Sequence, residues 1–444
     1  MLIGYYFKLA WISLKKTPLL SILMIGTIAM GIAATMITST VSIMMAKDPL
    51  PEKSDRVFSV RLSSWSPDKA YQLSRGEEML PPMMTYMDTI NLLEDAKGLR
   101  QSAVVMYKSM VRSEEQTEKE AKMLRFNSVN NDFFEIFDVP FLFGSPWSDS
   151  EDKKGAALVV LDKQTNDRLF GGANSVGQHI FVGPHLVRVV GVIDSWAPLP
   201  QVFQGPNRAH NLPYPLFTPF QFQVNNNLLS KGEMGWRCWT VLDDGSLESF
   251  LASECVWIRY WVELEHATQR DDYTDYINAY AEEQKSGGRF AREKPSELFD
   301  INESLIEDHV IEDDDRIAVW LAFAFLIACL LNCMGLMLIK FYGKGAEVGL
   351  RRAVGASKQH IAVQFGCETV LIGTLGGILG LTLAQLGLRL TADTFAHLPE
   401  GLMQMTTALA VLTVVLAVFS STLFGLWPIY RATQIQPSAQ LKSQ

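Results

Sequence analysis

The chain alternates long uncharged apolar runs with a charged middle of mixed pattern. Between Lys16 and Lys47 lie 30 residues without a charged side chain. Three more runs come late: Ile317 to Ile339 with 23 residues, Thr369 to Leu388 with 20 and an onset near Ile361, and Gly401 to Tyr430 with 30. A bilayer core of about 30 Å is crossed by roughly 20 apolar helical residues at about 1.5 Å each. Four transmembrane helices are therefore expected, at 17–46, 316–340, 361–388 and 403–430. The first run is roughly twice the apolar core of a signal peptide. Met44 and Ala46 also make no small-x-small cleavage site, so the run is expected to remain as an anchor. Upstream, Phe7, Trp11 and Leu14 recur at i, i+4 and i+7 with Lys8 and Lys15 on another face. Residues 1–16 are thus predicted to form an amphipathic helix lying on the membrane, broken from the first span at Pro18.

The middle segment, 47–315, reads as α+β. Phe58, Val60 and Leu62 alternate with polar residues as a strand does, Met83, Met87, Ile90 and Leu93 follow at helical spacing, and Ser102 to Val111 is extended. Near the end, Val256, Ile258, Tyr260, Val262 and Leu264 alternate, and Tyr273, Tyr276, Ile277, Tyr280 and Ala281 make a helical stripe. Two strand-helix units at the ends suggest one subdomain split by an insertion of about 113–245. Inside it, Leu158 to Leu161 and Leu186 to Ile193 read as buried strands around a short helix at Asp162 to Phe170. Trp196, Pro198, Pro200, Pro206, Pro213 and Pro215 mark a long irregular stretch.

Composition changes this picture only when charge is divided. The 444 residues are 48% apolar, with 39 Lys and Arg against 48 Asp and Glu, for a net charge of -9. That excludes a disordered chain and argues against nucleic-acid binding. Residues 47–315 hold 27 basic and 44 acidic side chains, and the remainder holds 12 basic and 4 acidic. Lys8, Lys15 and Lys16 precede the first span, Lys340, Lys344, Arg351, Arg352 and Lys358 follow the second, and Arg431 and Lys442 follow the fourth. The 389–402 loop, with Arg389, Asp393 and Glu400, is not basic. The positive-inside rule places both termini, the 341–360 loop and the 431–444 tail in the cytoplasm, and 47–315 outside.

Candidate chemistry is sparse. No G-x-x-x-x-G-K-[ST], H-E-x-x-H, G-x-S-x-G or C-x-x-C motif occurs, so no catalytic residue, no metal site and no nucleotide bound by this chain are expected. His179 and His185 lack a third ligand and read as a strand-turn-strand. Cys329, Cys333 and Cys367 fall in or beside membrane spans, whereas Cys238 and Cys255 lie outside and are candidates for a disulfide that spacing does not decide. Glu368 reads either as a functional intramembrane carboxylate or as an interfacial one within reach of basic neighbours.

The most specific piece is the loop Ala346-Glu347-Val348-Gly349-Leu350-Arg351-Arg352-Ala353-Val354-Gly355-Ala356-Ser357. Glu347 and Arg351 stand at i, i+4, and Gly355 is placed to cap a short helix, which by shape is a docking element. EVGLRRAVGAS resembles the signature of MacB/FtsX-type permeases, GTLGGILGL resembles their glycine-rich third helix, and YRATQIQPSAQLK resembles their ending. NDFFEIFDVPFLFG, ALVVLDKQTNDRLFGGANSVGQHIFV and VRVVGVI resemble the MacB-like periplasmic core. The one departure from MacB is the missing fused ATPase, so a separate subunit is expected to supply it.

The resemblance implies a multi-pass protein of the bacterial inner membrane, with a large α+β extracytoplasmic domain of two subdomains between helices one and two. It implies a dimer, with a second copy or a related permease, and a cytoplasmic ABC ATPase dimer carrying ATP and Mg. The ATPases would dock through Glu347, Gly349, Arg351, Arg352, Ala353, Gly355, Ala356 and Ser357. Glycines 373, 376, 377 and 380 would let helix three pack closely on a neighbour. ATP-driven movement of the outer domain, a periplasmic membrane-fusion adaptor and an outer-membrane duct belong to the same expectation. Export of a peptide, antibiotic or other amphiphile is the first reading. An FtsX-like regulator of an external hydrolase or sensor, and Lol-like lipoprotein release, are the alternatives.

Overall fold

The computed structural model describes the chain outside Met1 and residues 46–47, 73–77, 197, 206–208, 210–213, 229–234, 241, 243–244, 311–312, 395–406 and 435–444. Two compact units result, one from 1–46 with 312–444 and one from 47–311. The chain begins with two helices, α1 (Leu2–Lys16) and α2 (Pro18–Met45). Pro18 has no amide hydrogen to continue α1 and sits at the first turn of α2, where none is needed.

The 47–311 unit contains β1 (Val57–Arg61), β2 (Tyr71–Gln72), β3 (Glu78–Met79), α3 (Tyr86–Asp95), β4 (Arg100–Ser113), β5 (Lys122–Val129), α4 (Phe133–Ile136) and β6 (Phe141–Gly144). It continues through α5 (Asp149–Lys154), β7 (Leu158–Asp162), α6 (Lys163–Phe170), β8 (His179–Val182), β9 (His185–Ile193), β10 (Leu216–Pro219), α7 (Phe220–Asn225) and α8 (Leu247–Leu251). It closes with β11 (Arg259–Glu263), α9 (Arg270–Ser286), β12 (Glu297–Asp300) and α10 (Ile301–Glu307). Short helices start where side chains replace missing partners: Ser148 with Glu151, and Asp300 with Glu303, form capping boxes on α5 and α10.

One end of this unit is the sheet β12-β1-β11-β4, antiparallel throughout, with α3 following β1 and α9 following β11. That is a split βαβ arrangement. Phe58, Val60, Tyr260 and Val262 pack on Leu92, Tyr273, Ile277 and Tyr280 of the two helices. Alternation ordinarily marks a strand with one solvated face. Here all five residues of β1 and all five of β11 are buried. The second face is covered by Phe133, Phe137, Phe203, Ile301 and Leu305, which meet Val57 and Trp261.

The other end is a closed ring. β4 pairs β5, β5 pairs β10, β10 pairs β7, β7 pairs β9, β9 pairs β8, and β8 returns to β4. Tyr107, Phe126, Leu161, Val182, Val187 and Leu216 fill it. The 14-residue β4 therefore belongs to both ends. The division expected near residue 113 runs along β4, because a strand of that length, about 46 Å, is long enough to be shared.

The remaining helices are α11 (Asp313–Gly343), α12 (Gly345–Ala353), α13 (Lys358–Thr394) and α14 (Thr407–Thr433). Among the described residues, four segments are long and apolar enough to cross a membrane: Pro18–Ile43, Ile317–Gly343, Lys358–Leu390 and Thr413–Thr433. α2 packs on α11 and α13, α14 packs on α11 and α13, and α1 lies along α13. Met24, Ile28 and Ile32 meet Leu326, Leu330, Cys333, Met337 and Phe341, spacings that keep each set on one helix face. α13 is longer than its uncharged run because Lys358 and Arg389 continue the helix, as long basic side chains do at membrane edges.

Candidate functional site

The site is built on α12. Val348 is buried in the core of the helix bundle, and Gly349 beside it is buried too. Glu347 and Arg351 form the expected ion pair, Nη2 to Oε1 at 2.6 Å. Arg351 also donates through Nη1 to Oε1 of Gln364 on α13 at 2.7 Å. Gly355 has φ +107, which a side chain rarely tolerates. Its N–H reaches the Arg352 carbonyl, and the Ala356 N–H reaches that of Arg351, a Schellman ending. Ser357 then accepts from the His360 N–H at 3.2 Å and starts α13. Arg352 is half-buried, while Ala353, Gly355 and Ser357 are exposed. The outer side of α12 and its C-cap carry Leu350 at 66% and Val354 at 83% exposure, two apolar side chains left largely uncovered by the described residues. The arrangement offers a rigid knob, held inward by Val348 and Arg351 and apolar at its tip.

Glycines 373, 376, 377 and 380, four of the six in α13, divide between two neighbours. A Cβ on Gly376 or Gly380 would stand about 3 Å from Ile28 or from Ile32 and the Ala29 carbonyl of α2. One on Gly373 or Gly377 would meet Ser421 or Ala417 of α14. The absent side chains thus allow both helices to approach, which in lipid strengthens packing. Cys238 and Cys255 are disulfide-bonded, with Cα atoms 4.2 Å apart. His179 and His185 flank the β8–β9 turn, and His185 packs edgewise on Phe222.

Among the described residues, three buried charge clusters stand out, and only the one at Glu368 was flagged by the sequence. In the membrane unit, Glu368 is fully buried and lies 2.6 Å from Lys340 and 3.0 Å from Lys344, so the basic neighbours of one reading are present while the carboxylate is enclosed by the helices. In the sheet unit, Asp308 lies 2.8 Å from Arg61 and 3.1 Å from Arg259. Burial pulls the Arg61 guanidinium below its ordinary pKa, and Asp308 opposes that. At the far end of β11, buried Glu263 faces Arg100 at 3.0 Å, Arg56 at 3.4 Å and Lys53 at 3.9 Å. Their signal in the sequence is weak: a charge inside an alternating strand looks solvated until its cover is known.

Residues 21–246 match the MacB-like periplasmic core domain, and residues 319–437 match the FtsX-like permease C-terminal domain. The chain belongs to the MacB/FtsX permease family. Among curated MacB-type relatives, the probable syringafactin export ATP-binding/permease protein SyfD of Pseudomonas syringae pv. tomato is 23% identical over 97% of this chain and 58% of its own length. The macrolide export ATP-binding/permease protein MacB of Escherichia coli K12 is 25% identical over 70% of this chain and 42% of its own. The chain thus spans roughly half the length of the curated relatives it matches. Similar solved structures include the periplasmic region of MacB from Actinobacillus actinomycetemcomitans, at 9% identity, 59% of this chain, 95% of that chain and a TM-score of 0.37. The extracellular domain of the noncanonic ABC-type transporter YknZ from Gram-positive bacteria gives 14% identity, 55% and 100% coverage and a TM-score of 0.35. As a MacB/FtsX permease with four membrane-length helices, this is an inner-membrane protein with a periplasmic domain.

Proposed function

We propose that this chain is the membrane subunit of an ATP-driven exporter of the MacB type. A cytoplasmic ABC ATPase, carrying ATP and Mg, docks on α12, and two permease chains stand side by side. Closure of the ATPase pair displaces α12, and the membrane helices carry that displacement to the periplasmic domain without a central channel. The cargo class is a peptide, antibiotic or other amphiphile, handed to a periplasmic adaptor and an outer-membrane duct. One observation carries the reading: α12 is locked into the bundle on one side by Val348 and Arg351 and presents uncovered Leu350 and Val354 on the other. An apolar tip on a fixed helix suits a groove in a partner.

The test is purification of the full chain from its native membrane after mild cross-linking. An ATPase is expected to co-purify, and its lipid-supported ATPase rate is expected to fall at least about tenfold with Leu350→Glu, which puts a charge where an apolar contact is needed. Full ATPase activity in that variant would refute docking through α12. Recovery of a cell-wall hydrolase in place of an adaptor would favour the regulatory alternative.

A further inference from the structure

The joint between α11 and α12 is Gly343-Lys344-Gly345. Two glycines around one residue give a backbone of high intrinsic freedom, and no neighbouring atom would obstruct a Cβ on Gly343. Left alone, such a joint would bend and absorb any movement of α12. It is spanned by side chains that all end on one face of α13. Lys340, before the joint, has its ammonium 2.6 Å from Glu368 Oε1, and Lys344, within it, lies 3.0 Å from Glu368 Oε2. Phe341 stacks on Phe365 with ring centres 4.2 Å apart. Beyond the joint, Arg351 donates to Gln364. Gln364, Phe365 and Glu368 stand at i, i+1 and i+4, so one short strip of α13 grips both sides of the glycines.

The strip reaches the first helices as well. Ser13 of α1 donates to Glu368 Oε1 at 2.5 Å and contacts the Lys344 ammonium. Lys340 donates to the Ser21 hydroxyl of α2 at 3.1 Å. Lys340 and Glu368 side chains are both 0% exposed. A buried lysine stripped of its carboxylate is strongly disfavoured, so this pairing is conditional on the helices keeping their places.

We infer that Glu368 is a positioning residue that braces the glycine-bounded joint, so that α12 and α11 move as one lever referenced to α13. The inference rests on the docking role proposed for α12, yet its test needs no ATPase. Hydrogen exchange is followed by mass spectrometry on the full chain in lipid nanodiscs. In Glu368→Gln, which keeps shape and removes charge, amides of 343–355 are expected to exchange at least about tenfold faster, with α14 and the periplasmic domain unchanged. Unchanged exchange in 343–355, or equal acceleration in every helix, overturns the brace.

Because a carboxylate lost beside two lysines also weakens the fold, a second variant is needed. Lys340→Met/Lys344→Met/Glu368→Leu is expected to recover the thermal unfolding of the wild type, since apolar replacement of a buried ionic cluster is often tolerated, while 343–355 stays fast. If the triple variant returns the joint to slow exchange, packing and not the ionic cluster holds it, and the proposal fails. Absence of any docking ATPase would refute the proposed function and leave this result standing. Slow exchange in Glu368→Gln would refute the brace and leave docking standing.

Discussion

The sharpest energetic expectation concerns Asp308. Its carboxylate lies 2.8 Å from Arg61 and 3.1 Å from Arg259, and the three side chains are 3%, 0% and 7% exposed. Arg61 has further support from Ser304 Oγ at 3.2 Å and from the Phe299 ring at 4.6 Å, neither of which carries a charge. In Asp308→Ala, two buried guanidiniums face each other with only the weaker field of Glu307 opposing them, and arginine does not escape by losing its proton. Removing one partner of a buried ion pair costs about 3–5 kcal/mol, and two stranded cations place this variant at the upper end. Against a typical domain stability of about 5–15 kcal/mol, that is a third or more of the total.

The assay is urea unfolding of the full chain in detergent, read by tryptophan fluorescence. Fully buried Trp261 sits between Arg259 and Glu263 in β11 and reports on this region. A midpoint shift equivalent to less than about 1 kcal/mol would refute the reasoning, because it would mean the cations find water that the observed burial denies them. The companion variant Arg61→Met/Arg259→Met/Asp308→Leu is expected to unfold within about 1–2 kcal/mol of the wild type, since matched apolar side chains leave no charge stranded.

Asp152 is buried, and desolvation pushes its carboxyl up to about 6, although Asn130, the Asn131 N–H and Trp147 all donate to it. A raised folded pKa contributes stability that is full below the ordinary carboxylate range and lost as pH rises through about 6. Relative to Asp152→Asn, the wild type is therefore expected to lose about 2–3 kcal/mol between about pH 4 and pH 7, measured by urea midpoints; a flat difference would contradict it. Cys238 and Cys255 close a loop of separation 17, so Cys238→Ser/Cys255→Ser is expected to lower domain stability by about 3 kcal/mol, read by thermal unfolding with and without reductant. Gly380→Val would press on the Ala29 carbonyl and Ile32, both 3.0 Å from a Cβ, and is expected to cost about 1–3 kcal/mol in detergent melts. Gly366→Ala, with open space around it, is expected to be neutral or stabilising in the same melts.

Much of the membrane unit was legible because lipid imposes a local rule: charge must be absent for a helix length, and each uncharged run overlaps a membrane-length helix. The start of the fourth run, 401–406, lies outside the described residues, as does most of the 431–444 tail. The α12 pattern was equally local, since Glu347 and Arg351 need only their own helix to meet. Long-range pairing was not legible. Ring closure depends on β8 joining both β9 and β4, and nothing in His179 to Val182 names a partner more than 60 positions away. Arg61 and Arg259 read as the polar side of alternating strands because the groups that meet them, Phe299, Ser304 and Asp308, come from the far end of the unit. Lys340 read as a topology-setting cation, since its partner Glu368 sits on another helix.

The two ends of β11 hold unlike anchors, and this bears on which membrane helix carries motion. Glu263 meets the segment that follows α2, through Lys53 and Arg56, but at 3.9 Å and 3.4 Å these are charge contacts and not hydrogen bonds. Among the described residues, Arg100 of β4 is the one side chain that donates to the Glu263 carboxylate, at 3.0 Å, and the Arg56 and Arg100 side chains are about a third exposed. Solvent-screened pairs of that kind hold weakly. Asp308, which follows α10 and precedes α11 in the chain, accepts a hydrogen bond from Arg259 at 3.1 Å and is in charge contact with Arg61 at 2.8 Å, and all three side chains are nearly dry. At its other end α11 is gripped through Lys340. Within the 47–311 unit, the segment that precedes α11 in the chain is thus tied by a drier ion pair than the segment that follows α2. In the proposed mechanism, displacement delivered to α12 runs along α11, and α2 follows as a packed neighbour. Glu263→Gln is accordingly expected to cost less than half of what Asp308→Ala does in the same urea titration, and equal losses would remove the asymmetry on which this direction depends.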